Sequence, residues 1–135
     1  MLQAAIEVLE TCKSFAVIGV SREPDKYGHE VFATLLSGGY TVFPVNPKYA
    51  EMEGHTCYPS LGALPARPDV AVVALAPAIT ERMMPDVIAS GAQVIWLPPG
   101  CFTPAAVEAC QAAGVRELHD ICPVLALGSL RAQQG

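Results

Sequence analysis

The sequence lacks the features that mark several large classes of protein. Its 135 residues carry 8 Lys and Arg against 13 Asp and Glu, and this formal net charge of −5 argues against a nucleic-acid or anionic-membrane surface. The longest apolar run, at positions 70–76, is far too short to cross a bilayer. Positions 1–11 have no basic segment and predict no signal peptide. We therefore expect a cytoplasmic protein that binds neither nucleic acid nor membrane.

The cysteines and histidines lack the spacing of a disulfide framework or a metal site. The five cysteines are odd in number and form no C-x-x-C pair, a pattern typical of reduced thiols. His29, His55 and His119 show no metal-ligand spacing with them. The sequence therefore predicts no metal site.

Apolar residues, by contrast, are abundant. Hydrophobic residues make up 52% of the chain, and the mean hydropathy is +0.37. Parallel strands covered on both faces read as continuous apolar runs, and a surplus beyond them indicates a surface for self-association. The length fits one domain over residues 1–135. We expect a single domain that forms a homo-oligomer.

Strand-like apolar runs alternate with helical patterns along the chain. Strands are predicted at 14–20, 41–45, 70–75, 93–97 and 116–118, and helices at 2–12, 27–36, 78–90 and from Pro104 to a stop at Gly114. Pro85 interrupts the pattern of the third helix, and Pro44 predicts an unpaired amide near the end of the second strand. Ser60 is a candidate cap for one short helical turn. The alternation predicts an α/β fold, doubly wound, with a mainly parallel five-stranded sheet and helices on both faces.

The loop after the first strand is the first candidate site, because ligands bind outside the carboxyl ends of such strands. Gly19 allows a close backbone approach, Ser21 offers a hydroxyl and an amide, and Gly28 lies near a helix start, where N–H groups favour a phosphate. The full G-x-G-x-x-G pattern is absent, and a glycine after a strand is also typical of a plain turn. The loop is a candidate phosphate cradle that does not select a ligand.

The residues at the end of the second strand indicate which nucleotide the site favours. Enzymes that use NAD commonly carry Asp or Glu there, whereas this chain has Asn46 and Lys48. A lysine favours a phosphorylated ribose, since a hydrogen bond to a charged group contributes about 1.5–3 kcal/mol. The alternative is a solvated loop lysine.

Four segments together carry a family resemblance: 17–21 (VIGVS), 39–47 (GYTVFPVNP), 57–61 (CYPSL) and 95–100 (IWLPPG). With them the chain resembles the small single-domain coenzyme A (CoA)-binding proteins, which are similar to the N-terminal domain of the succinyl-CoA synthetase α subunit. The match spans about residues 12–123. It departs from the family at 120–123 (DICP), where small members usually carry Asp-Arg-Cys.

The resemblance implies a Rossmann-like CoA-binding domain and a position for each part of the ligand. On this chain the pyrophosphate would face Gly19, Val20, Ser21, Lys26, Tyr27 and Gly28. The phosphorylated ribose would face Lys48, with Asn46 and Pro47 beside it. Pro77 would line the adenine or its neighbouring linkage, and Pro99 and Gly100 would approach the pantetheine.

Cys101 and Cys122 lie just beyond strand ends, where a bound thiol ligand could terminate. We hypothesise a mixed disulfide between one of them and CoA, the alternative being a cysteine packed as a small hydrophobe.

No residue set supplies a nucleophile, a base and an orienting group. The leading hypothesis is therefore non-enzymatic binding of CoA or acyl-CoA by a carrier, sensor or regulatory module. One alternative is an NADP-dependent or acyl-CoA-handling enzyme that uses the same strand-end site. The other is a protein-interaction module with a decayed nucleotide site.

Overall fold

A computed structural model describes residues 1–134. The helices are α1 (Leu2–Thr11), α2 (Tyr27–Ser37), α3 (Pro77–Ala89), α4 (Pro104–Ala112) and α5 (Pro123–Gln134). The strands are β1 (Ser14–Ile18), β2 (Thr41–Val45), β3 (Glu51–Met52), β4 (His55–Thr56), β5 (Val70–Val73), β6 (Val94–Leu97) and β7 (Arg116–His119). Among the helices described, none combines the length and apolar character needed to cross a bilayer.

The main sheet has five parallel strands in the order β2-β1-β5-β6-β7. The predicted doubly wound α/β fold is thereby confirmed. The chain moves from β1 to β2 on one side and then returns to place β5 on the other side of β1. Strand order thus reverses between β1 and β5. In open α/β sheets, ligands bind outside the carboxyl ends of the strands at such a reversal.

Two apolar layers cover the sheet. Helices α1, α2 and α5 pack on one face, around Phe15, Phe32 and Trp96, and α3 and α4 pack on the other, around Ile95 and Leu97. Every residue of β5 and of β6 is buried. Because both faces of the central strands are covered, these strands are apolar throughout rather than alternating.

Asp69 ties the amino ends of the central strands together. One of its carboxylate oxygens accepts hydrogen bonds from the amides of Lys13, at 2.8 Å, and Ser14, at 3.1 Å. The Asp69 amide donates to the Ser14 hydroxyl at 2.9 Å. These bonds hold the pKa of Asp69 below its usual value, the Lys13 amide being the largest cause and burial acting in the opposite direction.

The two prolines within elements are explained by their positions. Pro44 lies in β2, the edge strand, where its missing N–H interrupts no interior ladder. Pro85 lies inside α3, and both Pro85 and Glu81, whose carbonyl it leaves unpaired, are exposed. Water can bond that carbonyl, so the helix continues through Pro85.

Several predicted boundaries and assignments are wrong. The strands predicted at 14–20 and 70–75 end at Ile18 and Val73. The hairpin of β3 and β4 and the helix α5 were not predicted. A single 3₁₀ turn follows Ser60, but the Ser60 side chain makes no capping hydrogen bond. Thr103 does cap α4 through the amide of Ala106.

Candidate functional site

Gly19 marks the point where the chain leaves β1 at the strand-order reversal. Its φ of +89° is a left-handed conformation that favours glycine. Its amide donates to the Val45 carbonyl at 3.0 Å, and a Cβ at this position would overlap the Ala74 carbonyl oxygen. Gly19 therefore allows the loops after β1 and β5 to lie in contact.

Gly28 likewise allows a close backbone contact at the start of α2. It is buried, and a Cβ there would overlap the Gly19 carbonyl oxygen. The residue thus lets the amino end of α2 press against the loop that leaves β1. The first N–H groups of a helix have no partner within it and favour a negative charge. Close packing at Gly28 brings those groups to the loop that leaves β1, at the carboxyl edge of the sheet.

Asn46 joins the loops after β1 and β2. Its side-chain amide donates to the Val20 carbonyl at 2.8 Å, and its side-chain oxygen accepts from the Lys48 amide at 2.8 Å. The Asn46 amide donates in turn to the Tyr58 carbonyl at 2.9 Å. Both ends of the side chain are used, so the backbone of Lys48 is fixed beside the β1 loop while its side chain is exposed.

The loop 20–23 is held by its own polar groups. Val20 is buried, and the hydroxyl of Ser21 accepts a hydrogen bond from the Glu23 amide at 3.1 Å. Such a turn presents successive backbone groups on one side of the loop.

Arg22 is a site-bordering residue that sequence reasoning missed. Its guanidinium donates twice to the Glu51 carbonyl, at 2.7 and 3.2 Å, and lies 4.7 Å from the centre of the Tyr49 ring. His29 pairs with Glu53 at 2.6 Å. The hairpin of β3 and β4 is thereby attached to the start of α2. The only sequence signal for this hairpin was the glycine at position 54. In the structure Gly54 has a φ of +83° and Glu53 a φ of +48°, which suit a tight hairpin turn.

Tyr27 reaches from the start of α2 toward the far end of the sheet. Its phenol donates a hydrogen bond to the Cys122 thiol at 3.1 Å. Burial raises the pKa of the phenol strongly, and the bond to Cys122 raises it further. Tyr27 is therefore a protonated donor at neutral pH.

The loops after β5 and β6 complete the edge. Pro77 is half-buried at the first position of α3, and Pro99 and Gly100 are exposed in the turn after β6, with Gly100 at φ +76°. The twelve residues predicted for the site lie on the loops that leave the carboxyl ends of β1, β2 and β6 and on the first turns of α2 and α3, the helices that follow β1 and β5. The predicted residues thus share one edge of the sheet.

The edge combines fixed backbone with two free positive charges. Lys26 and Lys48 are exposed, and neither forms an ion pair within residues 1–134. In that same part of the chain no three His, Cys, Asp or Glu side chains are placed to hold a metal ion. The arrangement suits an extended ligand that carries phosphate groups.

A cavity lies away from this edge. It measures about 650 Å³ and lies between the segment 60–67 and α3, next to Arg67, Met83 and Asp86. None of the predicted site residues lines it. The strand-order reversal, by contrast, favours ligand binding at the carboxyl edge.

A family model described as a CoA binding domain matches residues 13–128. The uncharacterized protein YneT of Bacillus subtilis is 27% identical over 116 residues, covering 86% of each chain. ADP-forming acetate–CoA ligase I of Archaeoglobus fulgidus is 41% identical over 61 residues, which are 45% of this chain and 9% of the ligase. The chain therefore corresponds to a small part of that enzyme.

Solved structures agree with these matches. A hypothetical protein from Pyrococcus horikoshii OT3 superposes with a TM-score of 0.91 at 30% identity, covering 97% of this chain and 92% of that one. A dinucleotide-forming acetyl-coenzyme A synthetase of Ca. Korarchaeum cryptofilum, in complex with phosphate and ADP, superposes with a TM-score of 0.74 at 27% identity. This match covers 85% of this chain and 27% of the synthetase.

Proposed function

Because this chain belongs to the CoA binding domain family, we propose that it binds coenzyme A, free or acylated, at the carboxyl edge of its sheet. The observation that carries the proposal is the meeting of the β1 loop, the amino end of α2 and the unpaired Lys26 and Lys48 at the strand-order reversal. A long nucleotide with several phosphate groups matches that edge in shape and charge.

Each part of CoA is assigned to a loop. The pyrophosphate lies against Val20, Ser21 and the turn Lys26–Gly28, where backbone N–H groups and one lysine offset its charge. Gly19 contributes by its close packing, since its amide is already bonded to Val45. The phosphorylated ribose lies against Lys48, which Asn46 holds in place.

The remaining parts follow the sheet away from β2. Pro77 lines the adenine or its neighbouring linkage, and Pro99 and Gly100 face the pantetheine as it passes the end of β6. We further propose that the role is non-enzymatic, as a carrier, sensor or regulatory module of the cytoplasm. Within residues 1–134, neither Ser21 nor Cys122 at the edge has a general base hydrogen-bonded to it.

Isothermal titration calorimetry with CoA, dephospho-CoA, NADP and NAD tests the proposal. We expect CoA to bind most tightly and dephospho-CoA to bind about tenfold to a hundredfold more weakly, since a charge-assisted hydrogen bond contributes about 1.5–3 kcal/mol. Lys48→Ala should remove most of that difference. Lys13→Ala is the matched control, because Lys13 is an exposed lysine at the opposite edge of the sheet.

Other outcomes favour the alternative functions. Tightest binding of NADP would indicate an NADP-dependent enzyme at the same edge. Binding of none of the four ligands would refute the CoA proposal and favour a protein-interaction module. An unchanged preference for CoA over dephospho-CoA in Lys48→Ala would refute the role given to that lysine.

A further inference from the structure

Two cysteines lie at the end of the edge where the proposed function places the thiol of CoA. Cys101 follows Pro99 and Gly100 after β6, and Cys122 follows β7, the neighbouring strand. The two strands pair up to Leu97 and His119. The chain leaves both strands on the same side, so the two cysteines share the last part of the carboxyl edge.

Further bonds fix the turn that carries Cys122. The Asp120 amide donates to the Leu97 carbonyl at 3.0 Å, and the Trp96 indole donates to the Ile121 carbonyl at 2.7 Å. The turn after β7 is therefore attached to β6, the strand that leads to Cys101. Cys101 is also positioned by its amide, which donates to the Pro98 carbonyl at 3.1 Å.

The two thiols differ in access and in environment. Cys101 is 8% exposed. Cys122 is more exposed, its sulfur accepts the hydrogen bond from Tyr27, and its carbonyl accepts the first hydrogen bond of α5. Cys122 is thus the thiol that a ligand at the edge meets first, with its sulfur oriented by the Tyr27 phenol.

The charge state of Cys122 affects Cys101. Burial raises the pKa of Cys101, and the charge of a Cys122 thiolate raises it further. Once Cys122 enters a disulfide, that repulsion disappears and Cys101 ionises more readily. This order suits an attacking sulfur followed by a resolving sulfur.

We propose that Cys101 and Cys122 form a dithiol pair that reduces the disulfide of CoA bound at this edge. The Cys122 sulfur, after giving its proton to solvent, attacks one sulfur of CoA disulfide. The S–S bond breaks, one CoA leaves as a thiolate that takes a proton from solvent, and a Cys122–CoA mixed disulfide remains. The Cys101 sulfur, after giving its proton to solvent, then attacks the Cys122 sulfur. The bond between Cys122 and CoA breaks, the second CoA leaves as a thiolate that takes a proton from solvent, and a Cys101–Cys122 disulfide forms. Two electrons pass from the protein to the ligand, and no other oxidant is required.

This inference rests on the proposed function, since CoA must bind at the edge to bring its sulfur to Cys122. The experiment mixes fully reduced protein with CoA disulfide, blocks remaining thiols with an alkylating reagent, and determines the intact mass and the modified peptides. We expect the unsubstituted protein to form a Cys101–Cys122 disulfide and release two CoA. Cys101→Ser should retain one CoA on Cys122, removable by dithiothreitol. Cys122→Ser should give neither product, whereas Cys12→Ser, at the opposite edge, should react like the unsubstituted protein.

Glutathione disulfide and CoA calorimetry complete the test. We expect glutathione disulfide to react at least about tenfold more slowly, because it lacks the nucleotide that the edge binds. Equal rates would overturn the inference, and so would the absence of a CoA adduct on Cys101→Ser. If either result occurs while reduced CoA still binds by calorimetry, the dithiol inference fails and the proposed function stands. Failure of CoA to bind at all would refute both.

Discussion

Gly28 and Gly128 both lie in helices, yet the same substitution by alanine is expected to change stability in opposite directions. Gly28 is buried, and an added Cβ would overlap the Gly19 carbonyl oxygen. Because that atom belongs to the backbone, a side-chain rotation cannot relieve the overlap. Gly128 is exposed on α5, and a Cβ there meets no atom within 4 Å.

The magnitudes follow from two opposing effects. Alanine in a helix is favoured over glycine by about 0.5–1 kcal/mol, and forcing atoms into a filled site costs about 1–3 kcal/mol. Gly28→Ala combines both effects and should lower the free energy of unfolding by about 1–2 kcal/mol. Gly128→Ala gains only the helix preference for alanine over glycine and should raise the free energy of unfolding by about 0.5–1 kcal/mol.

Urea denaturation followed by circular dichroism measures both values, and calorimetry with CoA measures the consequence for binding. An α2 displaced from the β1 loop should bind CoA about tenfold more weakly, a loss of roughly 1.4 kcal/mol. Gly128→Ala, remote from the edge, should bind as the unsubstituted protein does. If Gly28→Ala is as stable as Gly128→Ala, the close packing of Gly28 on Gly19 is not required and our account of the cradle is wrong.

Three further predictions concern other parts of the fold. Asp69→Asn should destabilise the protein at neutral pH by about 1–2 kcal/mol, after allowing for partial exposure. Because folding lowers the pKa of Asp69, the stabilisation by its carboxylate is present above the ordinary carboxyl pKa and disappears as the pH falls through the folded pKa. The unfolding free energies of the two proteins, followed across pH, should therefore converge in acid. Trp96→Phe removes the indole N–H that bonds the Ile121 carbonyl and should cost about 2 kcal/mol or more in urea denaturation; an unchanged midpoint would contradict this. Asn46→Ala frees the loop that carries Lys48 and should weaken CoA about tenfold by calorimetry, and unaltered affinity would show that this bridge is not needed.

The sheet could be predicted from sequence because its central strands are apolar on both faces. Runs such as 70–73 and 94–97 have few other interpretations, and the prolines and glycines around them mark the strand ends. The exact ends could not be predicted, since they depend on neighbours. Gly19 leaves the sheet because its backbone turns against Ala74, a residue 55 positions later in the chain.

Two missed elements illustrate different causes. Helix α5 had a signal, because Pro123, Ala126, Leu127 and Leu130 are buried at helical spacing. The hairpin of β3 and β4 had almost no signal, since each strand has only two residues. The hairpin is held from outside, by Arg22 bonded to Glu51 in β3 and by His29 paired with Glu53 in its turn. Tertiary contacts of this kind cannot be predicted from local pattern.

The candidate site shows the same division. The loops that form it could be predicted because parallel strands place their carboxyl ends at one edge. The bond from Tyr27 to Cys122 could not, because the two residues are 95 positions apart. The double use of the Asn46 side chain likewise depends on how the β1 and β2 loops approach each other.

A crystal structure of the protein with CoA would show directly where the ligand lies. We expect the pyrophosphate against the loop Val20–Ser21 and the start of α2, the ribose phosphate within hydrogen-bond distance of the Lys48 ammonium group, and the pantetheine passing Gly100 toward Cys122. Binding of CoA instead in the cavity beside Arg67 and Asp86, with the carboxyl edge empty, would contradict this expectation.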